Sequence, residues 1–223
     1  MAEAETVCSG VTRNTTAKIT SQHGLVYSGL IRRFGVERAQ MYLNANESAL
    51  QEYRALCAEI NCDFEEKDSF VYSLNGREKI EQELDALEKL GYPAEFAETL
   101  PLPFPVDGAV RFPRQAQFNP LSFAAAIMEG LSIFEHTAVR ELTPRGAVTD
   151  CGVIAAEKIV VATPFPFLNK HGSYFLKLYQ HRSYVLTLQH APELPGMYVD
   201  EAQKGMSFRS FRNLLLVGGL NKR

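Results

Sequence analysis

The chain has no apolar run near the ~20 residues that a membrane-spanning helix needs. It has no basic run, and its formal net charge is −3. Both features argue against a nucleic-acid or anionic-membrane surface. Met1 to Thr6 lack the basic and apolar stretches of a secretory signal, so a cytoplasmic location is expected. The four cysteines, Cys8, Cys57, Cys62 and Cys151, match no zinc or iron–sulfur spacing. No metal site is expected, and free, mostly buried thiols are the simpler reading. There is no internal repeat and no low-complexity tract.

What is present is an ordinary globular balance over 223 residues, with 46% hydrophobic and 22% charged. From Val36 to Ile60, Ala39, Tyr42, Leu43, Leu50, Tyr53, Leu56 and Cys57 recur at helical spacing. Phe70 to Leu74 reads as a strand that Asn75-Gly76 breaks. A second helix is expected over Arg77 to Leu90, and a proline-rich connector follows at Leu100 to Pro105. Gly108 to Phe112 reads as a strand. Asn119 is the expected N-cap, and Pro120 the first residue, of a third helix running to about Leu131. Strands are then expected over Ile133–Leu142, Ala147–Asp150, Gly152–Thr163, Arg182–His190 and Met206–Phe211. The runs Ile159-Val160-Val161 and Leu214-Leu215-Leu216-Val217 read as strands buried on both faces. Helices and strands interleave, which implies a mixed α/β or α+β fold.

Two of these strands end in residues that expose backbone: Ala162-Thr163-Pro164 and Gly218-Gly219. In open α/β sheets, ligands sit beyond the carboxyl ends of strands. The stretch TRNTTAKITSQHG, from Thr12 to Gly24, packs hydroxyls and amides beside Arg13 and Lys18. Such a stretch can hold a phosphate, or it can be a solvated terminal arm.

Five segments, in order, resemble the FAD-dependent oxidoreductases of the D-amino-acid oxidase and glycine oxidase superfamily. They are EAETVCSGVTRNTTAKITSQHG (from Glu3), QAQFNPL (from Gln115), IVVATPFPF (from Ile159), RSYVLTL (from Arg182) and LLLVGGLNK (from Leu214). The resemblance covers nearly the whole chain. It implies an FAD-binding Rossmann-like domain, here incomplete, interleaved with a substrate-binding domain of helices over an antiparallel sheet. Residues 1–30, 116–170 and 206–223 would belong to the first domain, and residues 31–115 and 171–205 to the second.

The resemblance also implies roles. Glu3 would bind the adenosine ribose hydroxyls, and the backbone of Val139 would meet the adenine. Thr12, Arg13, Asn14, Thr15 and Thr16 would lie along the FAD pyrophosphate. Ala162 and Thr163 would end a strand near the cofactor, and Gly218 and Gly219 would approach the flavin. Lys18 would place a charge near the flavin, and His23 would orient or exchange protons. Gln115, Arg182 and Tyr184 would face the substrate, Arg182 suiting a carboxylate. The implied reaction oxidises a C–H bond beside an amine or amino-acid nitrogen, with hydride passing to flavin N5. The implied partner is a small amine or amino acid.

Two departures from the family pattern matter. No G-x-G-x-x-G turn occurs anywhere in the chain, although that turn normally holds the pyrophosphate. The chain also stops at Arg223, shortly after the double glycine. A truncated form, with weak or absent FAD binding, is therefore expected. The alternative is a non-catalytic scaffold or interaction remnant without FAD. Some members of the family carry an iron–sulfur domain after the flavin domain; no cysteine–histidine pattern for one occurs here.

Overall fold

The hydroxyl-rich loop closes in one 3-10 turn over Thr12–Asn14 and enters the short strand β1 (Lys18–Ile19). This is a computed structural model, and it describes residues 1–164 and 173–222. Helices α1 (Tyr27–Phe34) and α2 (Val36–Glu59) follow. They meet at Gly35, whose φ of 85° suits glycine and no β-branched residue. Ala39, Leu43, Leu50 and Cys57 of α2 are buried, as their spacing implies. Tyr42, Tyr53 and Leu56 from the same expected stripe are exposed.

Strand β2 (Glu65–Ser73) leads to α3 (Arg77–Lys89), then to β3 (Glu95–Ala97) and β4 (Gly108–Gln117). Glu83 of α3 is buried, and its two carboxylate oxygens accept from the amides of Tyr27 (2.7 Å) and Ser28 (2.8 Å). The carboxylate thereby caps the N-terminus of α1, where unpaired amides and the helix dipole favour negative charge. Helix α4 (Pro120–Ile127) starts as expected: Asn119 Oδ1 accepts from the amides of Leu121 (3.2 Å) and Ser122 (3.3 Å). A three-stranded sheet follows, made of β5 (Val139–Thr143), β6 (Gly146–Thr149) and β7 (Gly152–Ala155). The short α5 (Tyr174–Lys177) precedes β8 (Arg182–Gln189), β9 (Met197–Asp200), β10 (Ser207–Phe211) and β11 (Leu214–Lys222).

The main sheet runs β1-β4-β2-β9-β10-β11-β8, with β3 also on β4. Its pairs are antiparallel except β2–β9, which is parallel. Neighbouring strands lie about 4.8 Å apart, so four steps of a flat sheet would separate β1 from β10 beyond any side-chain contact. Yet Arg209 Nη1 of β10 donates to the Ala17 carbonyl beside β1 at 3.0 Å. Gln117 Nε2 of β4 likewise donates to the Ser210 carbonyl at 2.8 Å. The sheet is therefore curled, and it folds the start of the chain onto β10. Three apolar clusters fill the fold. Tyr27, Leu43, Ile80, Leu87 and Phe112 pack between the helices and β4. Ile19, Leu50, Cys57 and Phe118 pack under α2. Tyr72, Tyr198 and Phe208 pack on the sheet.

Several expectations change. Ile159-Val160-Val161 is not a buried strand: it is irregular, and Val160 is 88% exposed. β-Branched residues favour a ladder but do not supply one, and among the described residues no strand pairs with this run. Phe165, Pro166 and Phe167, at the end of the same family segment, lie outside the described residues. Leu214 to Val217 is half-buried rather than buried on both faces. Its strand does not stop at the double glycine but runs on to Lys222, with a register irregularity after Gly219. The expected boundary at residue 206 falls inside one sheet, because β10 hydrogen-bonds β9 and β11 hydrogen-bonds β8.

Candidate cofactor site

The curl brings distant segments to one place. Thr12 to Thr15 are exposed and Thr16 is half-buried. Asn14 is tied back by its side chain, which donates to the Gly10 carbonyl (2.8 Å). Thr15 Oγ1 accepts from the Ala17 amide (3.1 Å). Ala17 has φ 47°, a left-handed conformation that a residue with a Cβ adopts at a cost. This turn carries the chain from the loop into β1.

Gly218 lies against this loop. A Cβ placed there would stand 2.8 Å from Ser207 Oγ and 3.6 Å from Thr16 Cγ2. Gly219 has φ 150°, and a Cβ would stand 2.8 Å from the Gly205 carbonyl. Neither position has room for a side chain. The hydroxyl-rich loop and the double glycine, some 200 residues apart in sequence, are thus neighbours in space.

Lys18 Nζ donates to Thr16 Oγ1 at 3.2 Å. Burial, with the nearby Arg209 guanidinium adding to it, pushes the lysine down to about 8. Arg209 itself is buried and held down to about 10 by that burial, which the charge of Glu65 partly offsets. Lys18 and His23 line one cleft of about 240 Å³, closed by Asn46, Leu50 and Tyr53 of α2 and by Phe118. His23 Nδ1 lies 2.9 Å from Tyr42 Oη. The exposed face of α2 therefore has a role: Tyr53 walls this cleft and Tyr42 holds the histidine beside it.

Glu3 lies at a second meeting point. The amide of Glu3 donates to the Phe134 carbonyl (2.9 Å), and its carbonyl accepts from the Thr137 amide (2.8 Å). Ala2 and Phe134 form a parallel bridge. Glu3 thus sits two residues along the chain from Val139 at its partner, and Val139 opens β5. Of the Glu3 carboxylate, Oε1 accepts from the Glu5 amide at 3.1 Å.

Other expected site residues are placed elsewhere. Gln115 is fully buried and does not face a cavity. Its Oε1 accepts from the Ser21 amide (2.7 Å) and hydroxyl (3.3 Å), and its Nε2 donates to Tyr92 Oη and the Pro113 carbonyl (both 3.1 Å). All four of its bonding positions are used inside the protein, so none remains for a substrate. Arg182 and Tyr184 share a face of β8, an edge strand that is exposed along its whole length. Neither lines the cleft. Ala162 and Thr163 are exposed and irregular, not a strand end. Arg209 was the functional candidate that sequence reading missed. Its signal was an arginine in the middle of a short strand between Phe208 and Ser210.

Among the described residues no group of His, Cys, Asp or Glu could hold a metal ion. No helix among them is long and apolar enough to cross a membrane.

Comparison with known proteins gives these segments a common setting. Residues 1–222 match the family described as FAD dependent oxidoreductase (DAO). YhfW of Bacillus subtilis (strain 168), named as a Rieske 2Fe-2S iron-sulfur protein, is 33% identical over 221 residues, which is 93% of this chain and 43% of that protein. The fold is similar to that of glycine oxidase from Geobacillus kaustophilus (TM-score 0.69, 18% identity, 99% of this chain and 64% of that one). It is also similar to L-proline dehydrogenase from P. horikoshii (TM-score 0.73, 16% identity, 98% of this chain and 62% of that one). The chain spans less than two thirds of each of these relatives. With its family match running from end to end, the chain belongs to the FAD dependent oxidoreductase (DAO) family.

Proposed function

We propose that this chain carries the flavin-facing part of an FAD-dependent oxidoreductase that oxidises the C–N bond of a small amine or amino acid. The observation that carries this reading is the convergence of Thr16, Lys18 and Gly218, which the curl of the sheet brings together from β1 and β11. Structural neighbours named as glycine oxidase, L-proline dehydrogenase and L-amino acid deaminase support the reaction class.

The residues present fit one side of the cofactor. Glycine at 218 and 219 lets β11 pack closely against Ser207, Thr16 and Gly205, which keeps the hydroxyl-rich loop beside this strand. The exposed hydroxyls and amides of Thr12, Arg13, Asn14, Thr15 and Thr16 suit phosphate oxygens. Glu3 would take the ribose hydroxyls, and the backbone of Val139 would meet the adenine. When bound, FAD accepts the hydride taken from the carbon beside the amine nitrogen. The protein's own part is then limited and concrete. Lys18 presents its amino group to the cleft, held by the Thr16 hydroxyl. His23, oriented by Tyr42, faces the same space. Tyr53 and Phe118 form an aromatic wall of that cleft. Among the described residues, 1–30, 116–164 and 206–222 would form the cofactor side, and 31–115 and 173–205 the substrate side.

Titration of the purified chain with FAD, read as a saturable change in the flavin absorption spectrum, tests the proposal. Lys18→Met should weaken or abolish that change. No spectral change at any FAD concentration contradicts the proposal. It would favour a scaffold without cofactor, the reading that the missing G-x-G-x-x-G turn supports.

A further inference from the structure

Lys18, the first residue of β1, has an unusual setting for a lysine. Its ammonium bonds a neutral hydroxyl, Thr16 Oγ1, and among the described residues no carboxylate pairs with it. The charged side chain that acts on it is another cation. Arg209 is 3% exposed and reaches across the curl to the carbonyl of Ala17, the residue before Lys18. Ala17 is the residue held in the left-handed conformation, so this hydrogen bond secures the turn that aims Lys18 into the cleft. Arg209 Nε is buried without a partner. Glu65 of β2, whose charge acts on Arg209, is engaged by Gln117 Nε2 (2.9 Å) and by Lys67 (3.5 Å). Facing Lys18 across the cleft are His23, from the loop before α1, and Tyr53, from α2. Lys18 is half-buried, and burial together with the like charge of the buried Arg209 disfavours its ammonium form. An arginine does not give up its proton, so the lysine must.

We propose that Arg209 is the positioning residue of Lys18: it clamps the Ala17 turn and sets a buried positive charge behind the lysine, so that Lys18 is a proton acceptor in the cleft rather than a fixed cation. The lowered proton affinity of Lys18 agrees with this arrangement. In the step this allows, the neutral Lys18 amine takes one N–H proton from a substrate ammonium. The substrate nitrogen keeps the bonding pair as a lone pair, and Lys18 becomes an ammonium that later returns its proton to water. A substrate amine must be unprotonated before its C–H bond can be oxidised, and Lys18 would supply that condition from pH 8 upward.

The inference rests on Lys18 belonging to the proposed cofactor site, but its test needs no flavin. The full chain is labelled with a limiting amount of acetic anhydride over a range of pH, beside an added standard amine. Acetylation of Lys18 is then read by mass spectrometry. In the wild-type chain Lys18 should titrate with a midpoint near 8. Arg209→Met should raise that midpoint by about 1 pH unit, and Arg209→Lys, which keeps the charge, should leave it near the wild-type value. If Arg209→Met does not fold, Arg209→Gln replaces it, since its amide can still donate to the Ala17 carbonyl. A wild-type midpoint near the ordinary lysine value of about 10.4 overturns the proposal. So does an unchanged midpoint in a folded variant that lacks the Arg209 charge. A shifted midpoint without any FAD binding would keep this inference and remove the cofactor reading; the converse result would do the opposite.

Discussion

The two ends of the main sheet differ sharply. At the β1-β4-β2 end, helices α1, α2 and α3 cover the strands, and Tyr27, Ile80, Leu87 and Phe112 are fully buried. At the β11-β8 end, all eight residues of β8 are exposed, Leu186 to 60%. Both ends carry β-branched and aromatic residues in alternation. What separates them is the layer packed against them, not the strand sequence. A strand pattern reports fitness for a pleated surface; burial comes from what covers it.

Paired leucine substitutions sharpen that comparison most. Leu87→Ala should lower stability by about 3 kcal/mol through lost burial and a residual cavity. Leu186→Ala should change it by less than about 0.5 kcal/mol. Urea unfolding of both variants checks this, and equal losses would erase the difference between the two ends. Next comes Glu83→Ala, which leaves the buried amides of Tyr27 and Ser28 without their acceptor. A loss of about 2 kcal/mol is expected, together with exchange of the α1 amides with deuterium at lower protection.

Lys18→Met should act in the opposite direction. The folded chain holds Lys18 near 8, while the unfolded chain holds a lysine near about 10.4. Between those values the unfolded state binds more protons, so the wild-type chain gains stability as pH rises through this window. Below it, the charged lysine is a full burden on the folded state. At pH 7 Lys18→Met should therefore be more stable than wild type by about 1–2 kcal/mol, after allowance for solvent screening. The gap should close as pH approaches about 10. A gap that does not vary with pH would refute this account of Lys18. Asn119→Ala should cost about 1 kcal/mol from the missing cap of α4, read as a drop in the urea midpoint.

The helices were legible because their signals are local. The helical spacing of α2, the N-cap Asn119 and the first-turn Pro120 each act within a few residues, and each appears as expected, although only Ala39, Leu43, Leu50 and Cys57 of the α2 stripe are buried. Strand length and burial were less legible. β4 absorbed Gln115 and Gln117 because β2 pairs with it over that whole length, and no local feature announces a partner. Ile159 to Val161 failed for the complementary reason: its composition suits a ladder that no described strand provides. At the site, Lys18, Thr16 and Gly218 were recognisable from family segments. Arg209 was not, because its significance depends on the curl that carries it to the Ala17 carbonyl from 192 positions away. Gln115 looked like a substrate residue in sequence and is a saturated internal cross-link in space.

The most direct measurement is the absorption spectrum of the purified chain during titration with FAD, repeated after gel filtration and with Lys18→Met. The account predicts a saturable change in the flavin bands that is lost on filtration and is weakened or absent in the variant. A spectrum that never departs from that of free FAD would contradict the claim that Thr12 to Thr16, Lys18 and the double glycine form the flavin-facing wall.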